Sequence, residues 1–367
     1  MLVIAVDGLR AAALGAYGNT TYPTPALDEF AAQSLLFDSS FVDSVELTTI
    51  YQSLWGGDAS LAQSLGARGY ATTLMTDDPA VASISAASGF DETVQVTDAT
   101  AERAGDVSET VFARIFAATS ELLESKKQPQ FIWVHSRGMH GPWDAPLELQ
   151  EPLLELEEGD PPPAEAVTPP DLVLDKHSDP DTAFRWNCAY AAQVMALDAC
   201  FGDLLQSLDA AASGKWLVVL CGTRGFPLGE HQRVGGVDER LHVEQLHVPL
   251  VWRFPDGRHR LSRHGMLASL VDLPAALLTD TGNPFHWPER NALFATSPSG
   301  ARVIRTTDWT LRTEPQDSSE DSSGRLGPTL CELYVRPDDR WEANDVANLC
   351  SDVVDDLLAK LSAPPAN

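Results

Sequence analysis

Short apolar runs alternate along the chain with longer stretches in which apolar side chains recur every three or four positions. Leu2 to Val6 predicts a strand buried on both faces, and Pro25 to Leu36 a helix. Ser60 to Ala67 predicts a second helix, with Ala71 to Met75 as the strand that follows it. Val107 to Glu124 has helical periodicity ahead of the strand-like Gln130 to Val134, and Ala191 to Leu208 has it ahead of the continuous apolar run Trp216 to Leu220. Short strands separated by helices predict an α/β fold, a mostly parallel central sheet with helices on both faces. In such sheets ligands gather beyond the carboxyl ends of the strands, so the residues just after each apolar run carry the most information.

One stretch departs from this rhythm. Leu153 to Asp171 carries repeated Glu and Asp and then two proline clusters, and residues 153–180 are expected to form an exposed acidic, Pro-rich excursion. Gln316 to Gly324 reads as a shorter polar loop. On either side of it, Arg302 to Arg312 and Glu332 to Arg336 predict strands of a small antiparallel sheet, with Val353 to Leu361 as a closing helix. The expected division is an α/β domain over 1–288 and a small C-terminal α+β subdomain over 289–367.

Composition narrows the function classes. With 44% hydrophobic and 21% charged residues the chain can build a large core. Its 53 Asp and Glu against 25 Lys and Arg give a formal charge of −28, which repels polyanions, so no nucleic-acid and no membrane partner is expected. A locally basic pocket remains compatible with that total. No run approaches the roughly 18 apolar residues of a membrane span, and Leu2 to Val6 lacks the stages of a signal peptide. A cytoplasmic location is the resulting expectation. Five cysteines without a CxxC pair point to buried small hydrophobes rather than disulfides or a zinc site.

Val6-Asp7-Gly8-Leu9-Arg10, Leu14 to Asn19 as LGAYGN, and Thr24 to Asp28 as TPALD resemble the opening of sulfatases in the alkaline phosphatase superfamily. The resemblance continues in order. His135 to Trp143 is similar to an HxxxxHxPY element, Tyr190 with Asp198 to a YxxxxxxxD helix, and Leu228 to His231 to an LGEH turn. Val248 to Leu250, Ser269 to Pro274 and Glu332 to Tyr334 match the VPLI, SLVDLLP and ELYD segments. The resemblance implies the fold just described. It also implies a divalent cation, calcium in sulfatases, held by carboxylates after the first strand and by an SDHG-type turn. A formylglycine, or a Ser or Thr in phosphatase relatives, opens a CxPSR helix as the nucleophile. An oxygen-rich cage of this kind binds a hard cation that neutralises the ester's oxyanions.

Against that pattern the chain keeps Asp7 and departs at most other positions. Gly8 stands where a second carboxylate would be, Thr223 and Arg224 replace the aspartate and the histidine or asparagine of the SDHG turn, and Gly236 falls at a position usually His or Lys. Aligning Ser53 to Gly57 with SLLTG puts Leu47 at the nucleophile and Tyr51 at the arginine. Gly57 to Ser60 takes the place of a longer loop that walls the cleft in relatives. A guanidinium at 224 repels a cation but can pair with Asp7 in its place, which is the expectation drawn here. No cofactor is then expected.

The remaining candidates carry two readings each. Thr48 and Thr49 are catalytic candidates one and two positions from Leu47, or ordinary helix caps, with Glu46 as a nearby base. His135 and His140 are substrate-binding candidates for a small anionic ester or anion, or parts of a turn fixed by Pro142. Arg10 is a substrate-binding candidate or a structural clamp, with Arg137 and Tyr51 as weaker pocket residues. Glu230, His231, His242 and His247 lack the spacing of a zinc site. Asp43, Asp77 and Asp78 are further carboxylates near strand ends. Two functions follow: a sulfatase-like protein that is inactive or only very weakly active and binds a small anion or an unspecified protein partner, or an active sulfuric or phosphoric ester hydrolase using Asp7 and Thr48 or Thr49 with calcium or another divalent cation.

Overall fold

Leu2–Val6 (β1) is apolar at every position, so neither of its faces suits water. Val3 and Ala5 join Phe131, Trp133, Val219 and Cys221 in one core, while Leu2, Ile4 and Val6 join Ile132, Val134, Val218 and Leu220 in another. The two cores are the two sides of a central sheet, filled by alternate residues of the same strands. The computed structural model describes residues 1–56, 60–97, 102–125, 129–154, 168–210, 216–279, 286–314 and 330–362.

The further strands are Leu35–Phe41 (β2), Ala71–Thr76 (β3), Glu92–Gln95 (β4), Gln130–Ser136 (β5), Asp171–Val173 (β6), Val218–Gly222 (β7), Arg233–Gly235 (β8), Leu250–Arg253 (β9) and Ser262–Ser269 (β10). Seven of them and β1 form the eight-stranded central sheet in the order β10-β2-β9-β7-β1-β5-β3-β4, parallel except for β9, which runs against both β7 and β2. Helices Pro25–Ala32, Val111–Ser125 and Pro180–Ala210 pack on the face of Leu2, Ile4 and Val6. Helices Leu47–Trp55, Leu61–Gly66 and Leu273–Thr279 cover the other.

C-terminally, Leu293–Thr296 (β11), Arg302–Arg305 (β12), Trp309–Thr313 (β13) and Cys331–Val335 (β14) make an antiparallel sheet in sequence order. One side of it, through Ala295, Ala301 and Val303, continues the main core. On the other, Ile304, Leu311 and Leu333 meet Val354, Leu357 and Leu361 of the helix Ser351–Ser362.

Several sequence boundaries shift for identifiable reasons. The helix expected over 25–36 stops at Ala32, where Ser34 Oγ donates to the Phe30 carbonyl at 2.6 Å, and Leu35 and Leu36 open β2 instead. A short apolar run cannot distinguish a helix end from a strand start by period alone. The helix expected over 191–208 begins at Pro180, after Asp179 takes a 3.0 Å hydrogen bond from Asp181 N. Although no unbroken run of apolar residues marks it, its segment Asp181–Ala210 has the length and composition of a membrane span. Its most apolar window is 67% buried inside the fold.

Of the expected excursion over 153–180, residues 155–167 lie outside the described residues, as do Gly57 to Ala59 and Gln316 to Gly324. Beyond 167 the excursion is extended and exposed in β6, which pairs with β8.

Candidate functional site

Strand register decides which residues meet at the sheet's carboxyl edge. Val6 lies opposite Ser136 on β5 and Gly222 on β7, so Asp7, Arg137 and the pair Thr223-Arg224 leave adjacent strands at one level, with Asp77 following β3 beyond them. Asp43, after β2, is separated from β1 by β9 and β7.

Asp7 is 1% exposed and its carboxylate is fully engaged. Arg224 donates from Nε to Oδ1 and from Nη2 to Oδ2, each at 2.9 Å. Thr223 Oγ1 donates to Oδ1 at 2.8 Å and Gly8 N to the same oxygen at 3.1 Å. Burial works to raise this carboxyl, but the charge of Arg224, with smaller contributions from His140 and His135, brings it down to about 2. Arg224 Nη1 donates to the Val45 carbonyl at 2.7 Å. The guanidinium therefore spans from the end of β1 to the entry of the helix Leu47–Trp55, whose N-cap is Glu46.

Gly8 is closed to a second carboxylate by space as well as sequence. It sits at φ +74°, and a Cβ there would lie 2.7 Å from Met139 Cβ. Gly8→Asp is expected to cost about 2 to 4 kcal/mol of stability in urea denaturation, from strained backbone and overpacking. A stability unchanged by that substitution would show that the loop after β5 can withdraw.

The other candidates separate. Thr49 Oγ1 donates to Glu46 Oε2 at 2.6 Å, and Thr48 is exposed, so neither threonine is the helix cap. His135 is fully buried, with Nδ1 bonded to the Tyr51 hydroxyl and Nε2 3.8 Å from Asp78 Oδ2. Tyr51 is likewise fully buried and stacks on Trp55 at 4.0 Å, filling the space on that side of the sheet. Asp78 instead caps the short helix Pro79–Ala82, and Asp77 takes hydrogen bonds from Ser136 Oγ and Arg137 N. His140 lies against Phe226, and its Nε2 is buried without a hydrogen-bond partner among the described residues. Burial lowers this imidazole to about 4, with Arg224 adding to the effect and Asp7 opposing it.

Arg10 is drawn away from Asp7 into a 2.5 Å ion pair with Glu230. His231 donates from Nδ1 to Glu244 Oε1, 2.8 Å away, and stacks on His242 at 3.6 Å. Burial opposes charge on His231, yet the Glu244 carboxylate lifts it to about 9. Its folded value exceeds the ordinary 6.5, so its stabilisation is full below pH 6.5 and disappears as pH rises through about 9. Unfolding free energies measured across that window should fall more steeply in the native protein than in His231→Gln. Equal slopes would count against the pair.

The element order and the C-terminal sheet agree with one family, while of the edge residues Asp7 alone keeps its pattern. Its model, described as Sulfatase, matches residues 1–282. The chain belongs to the sulfatase family. Among solved structures, phosphonate monoester hydrolase of Agrobacterium radiobacter is similar at 16% identity and TM-score 0.72, over 98% of this chain and 94% of that one. A protein in complex with its substrate D-glucosamine-2-N,6-O-disulfate is similar at 15% and 0.75, over 98% and 96%. A Bacteroides thetaiotaomicron structure from work on glycosaminoglycan metabolism gives 17% and 0.72, over 97% and 93%. At such identities the likeness shows the fold. No curated protein matches the sequence.

A divalent cation does not fit this sulfatase-family centre. Both Asp7 oxygens face a guanidinium, and its neighbours in the expected ligand set are glycine, a threonine hydroxyl that donates to Asp7, and arginine. Among the described residues no three His, Cys, Asp or Glu side chains converge as a metal cluster. Sequence reasoning missed the Val45 carbonyl as the third acceptor for Arg224 and the Tyr51 to His135 bond. Tyr51, standing at an arginine position, was the available signal for the second.

Proposed function

We propose that this sulfatase-family protein has given up ester hydrolysis and acts by binding, with the Arg224 guanidinium standing where relatives place their cation. The observation that carries the reading is the two-pronged Arg224 to Asp7 contact, with Asp7 buried and both its oxygens spent. A nucleophile in such a centre needs a lowered pKa, a base or a Lewis acid.

A second reading rests on one contact. The Thr49 hydroxyl bonded to Glu46 at 2.6 Å has the geometry of a nucleophile with its base. Both threonine and glutamate lie at the outer end of the helix, and the Arg224 guanidinium, which reaches the neighbouring Val45 carbonyl, is committed to that carbonyl and to Asp7. Incubation with 4-nitrophenyl sulfate, 4-nitrophenyl phosphate and a phenylphosphonate monoester, with and without calcium, magnesium or manganese, decides between them. The expected result is no release of nitrophenol or phenol above the buffer rate. Turnover that Thr49→Ala or Glu46→Gln abolishes would establish the hydrolase instead.

A further inference from the structure

A cavity formed by described residues lies apart from the Asp7 centre. It encloses about 810 Å³ between the loop after β1, the first turns of the helix Pro180–Ala210 and the segment 336–341 that follows β14. None of Asp7, Thr49, His135, His140 or Arg224 lines it. Its volume is that of a small-molecule site.

Its charges do not cancel. Arg10 is neutralised by Glu230, and Glu244 by His231. Arg336 and Arg340 also line the cavity, and among the described residues neither side chain makes a salt bridge or a hydrogen bond. The acidic neighbours of Arg336 are spent elsewhere: Asp339 accepts from Ala343 N and Asn344 N, and Glu342 from Arg305 and Val243 N. In a chain of net charge −28, two guanidiniums on one cavity wall without a hydrogen-bonded acidic partner among the described residues are a local concentration of positive charge.

Aromatic surface accompanies them. Trp341 is 40% exposed and Phe184 50% exposed, both on the cavity wall. The Arg340 guanidinium lies 4.7 Å from the Trp341 ring centre. The arm is held in place beforehand, because its next residue, Glu342, is buried, adopts φ +56°, and binds both Arg305 and Val243 N. Arginine forks suit sulfate, sulfonate, phosphate and carboxylate oxygens, and an exposed indole suits a flat ring.

We propose that this cavity is a binding site for a small anion carried on a planar ring, with Arg336 and Arg340 receiving the anionic group and Trp341 the ring. The site does not depend on whether the Asp7 centre turns over esters. Calorimetry with naphthalene-2-sulfonate, which has no ester to hydrolyse, tests it, with inorganic sulfate and 2-naphthol as the charge alone and the ring alone. The expected result is one site per chain for the sulfonate, at least tenfold tighter than either half and weakened by added salt. Arg336→Gln/Arg340→Gln and, separately, Trp341→Ala should each weaken it at least tenfold, while Thr49→Ala leaves it unchanged. Thermal melts matching the native protein show that each variant folds, as expected for partly exposed side chains. Any other pattern, including no saturable binding or affinity retained in either cavity variant, overturns the proposal.

Discussion

Arg224→Ala is expected to lower the unfolding free energy by about 3 to 5 kcal/mol, the cost of leaving a buried carboxylate without its partner. Asp7 is 1% exposed, and the remaining donors, Thr223 Oγ1 and Gly8 N, both reach Oδ1, so Oδ2 would have no partner. Asp7→Ala should cost a similar amount, because Arg224 then keeps only the Val45 carbonyl. The double variant Asp7→Leu/Arg224→Met is expected to fall well short of the sum, since paired removal strands neither charge. Acid titration supplies an independent readout. The Asp7 carboxyl lies at about 2 in the folded protein against 3.8 ordinarily, so its stabilisation is full above pH 3.8 and disappears as pH falls through about 2. In Arg224→Ala that acid-labile component should be absent. Additive single-variant costs would show that the two side chains are not coupled.

The second large effect is expected at Glu342. Its carboxylate is 2% exposed and holds Arg305, itself 2% exposed, together with Val243 N at 3.0 Å, while its carbonyl lies 3.0 Å from His231 Nε2. Glu342→Ala should cost about 3 to 5 kcal/mol by stranding the Arg305 cation. Glu342→Gln should recover part of this, because the amide oxygen can still accept from Val243 N. The contact joins the C-terminal sheet to the loop of Glu230 and His231, so loss should also raise hydrogen exchange along β12 and in residues 338–345. A change in stability below about 1 kcal/mol would mean that the two sheets are held together mainly by apolar packing.

Much of the fold was legible because strand and helix periods coincide with burial. β1 and β7 were read from continuous apolar runs, β3 and β5 from short strand-like segments that follow helices, and each is enclosed on both faces. β2 was missed because Leu35 and Leu36 prolong a helical pattern whose end is fixed by Ser34, a residue with little period of its own. Several motifs that carried the family resemblance turn out to brace the edge rather than act on a ligand. Tyr190 donates to the Gly8 carbonyl at 2.9 Å, Asp198 accepts from Ala26 N and Leu27 N, and Asp28 accepts from Ala16 N. Such residues are readable in sequence because backbone groups of fixed position demand them.

At the site, the identities of Asp7, Gly8, Thr223 and Arg224 were readable, and so was the charge argument that pairs 7 with 224. The Met139 side chain that closes Gly8 and the Val45 carbonyl that completes the guanidinium's bonding were not, since both depend on loop paths. The cavity of Arg336, Arg340 and Trp341 was invisible for a similar reason. Its walls come from segments far apart in the chain, and Arg336, Arg340 and Trp341 themselves stand in no motif.

The measurement that tests the central claim most directly is calorimetry of metal-stripped protein against calcium, magnesium, manganese and zinc, repeated with Asp7→Ala and with Thr223→Asp/Arg224→Asn. The account predicts no stoichiometric binding to the native chain or to Asp7→Ala, and a gain of divalent-cation affinity when the guanidinium is replaced by oxygen ligands. Stoichiometric binding to the native chain that Asp7→Ala abolishes would contradict it.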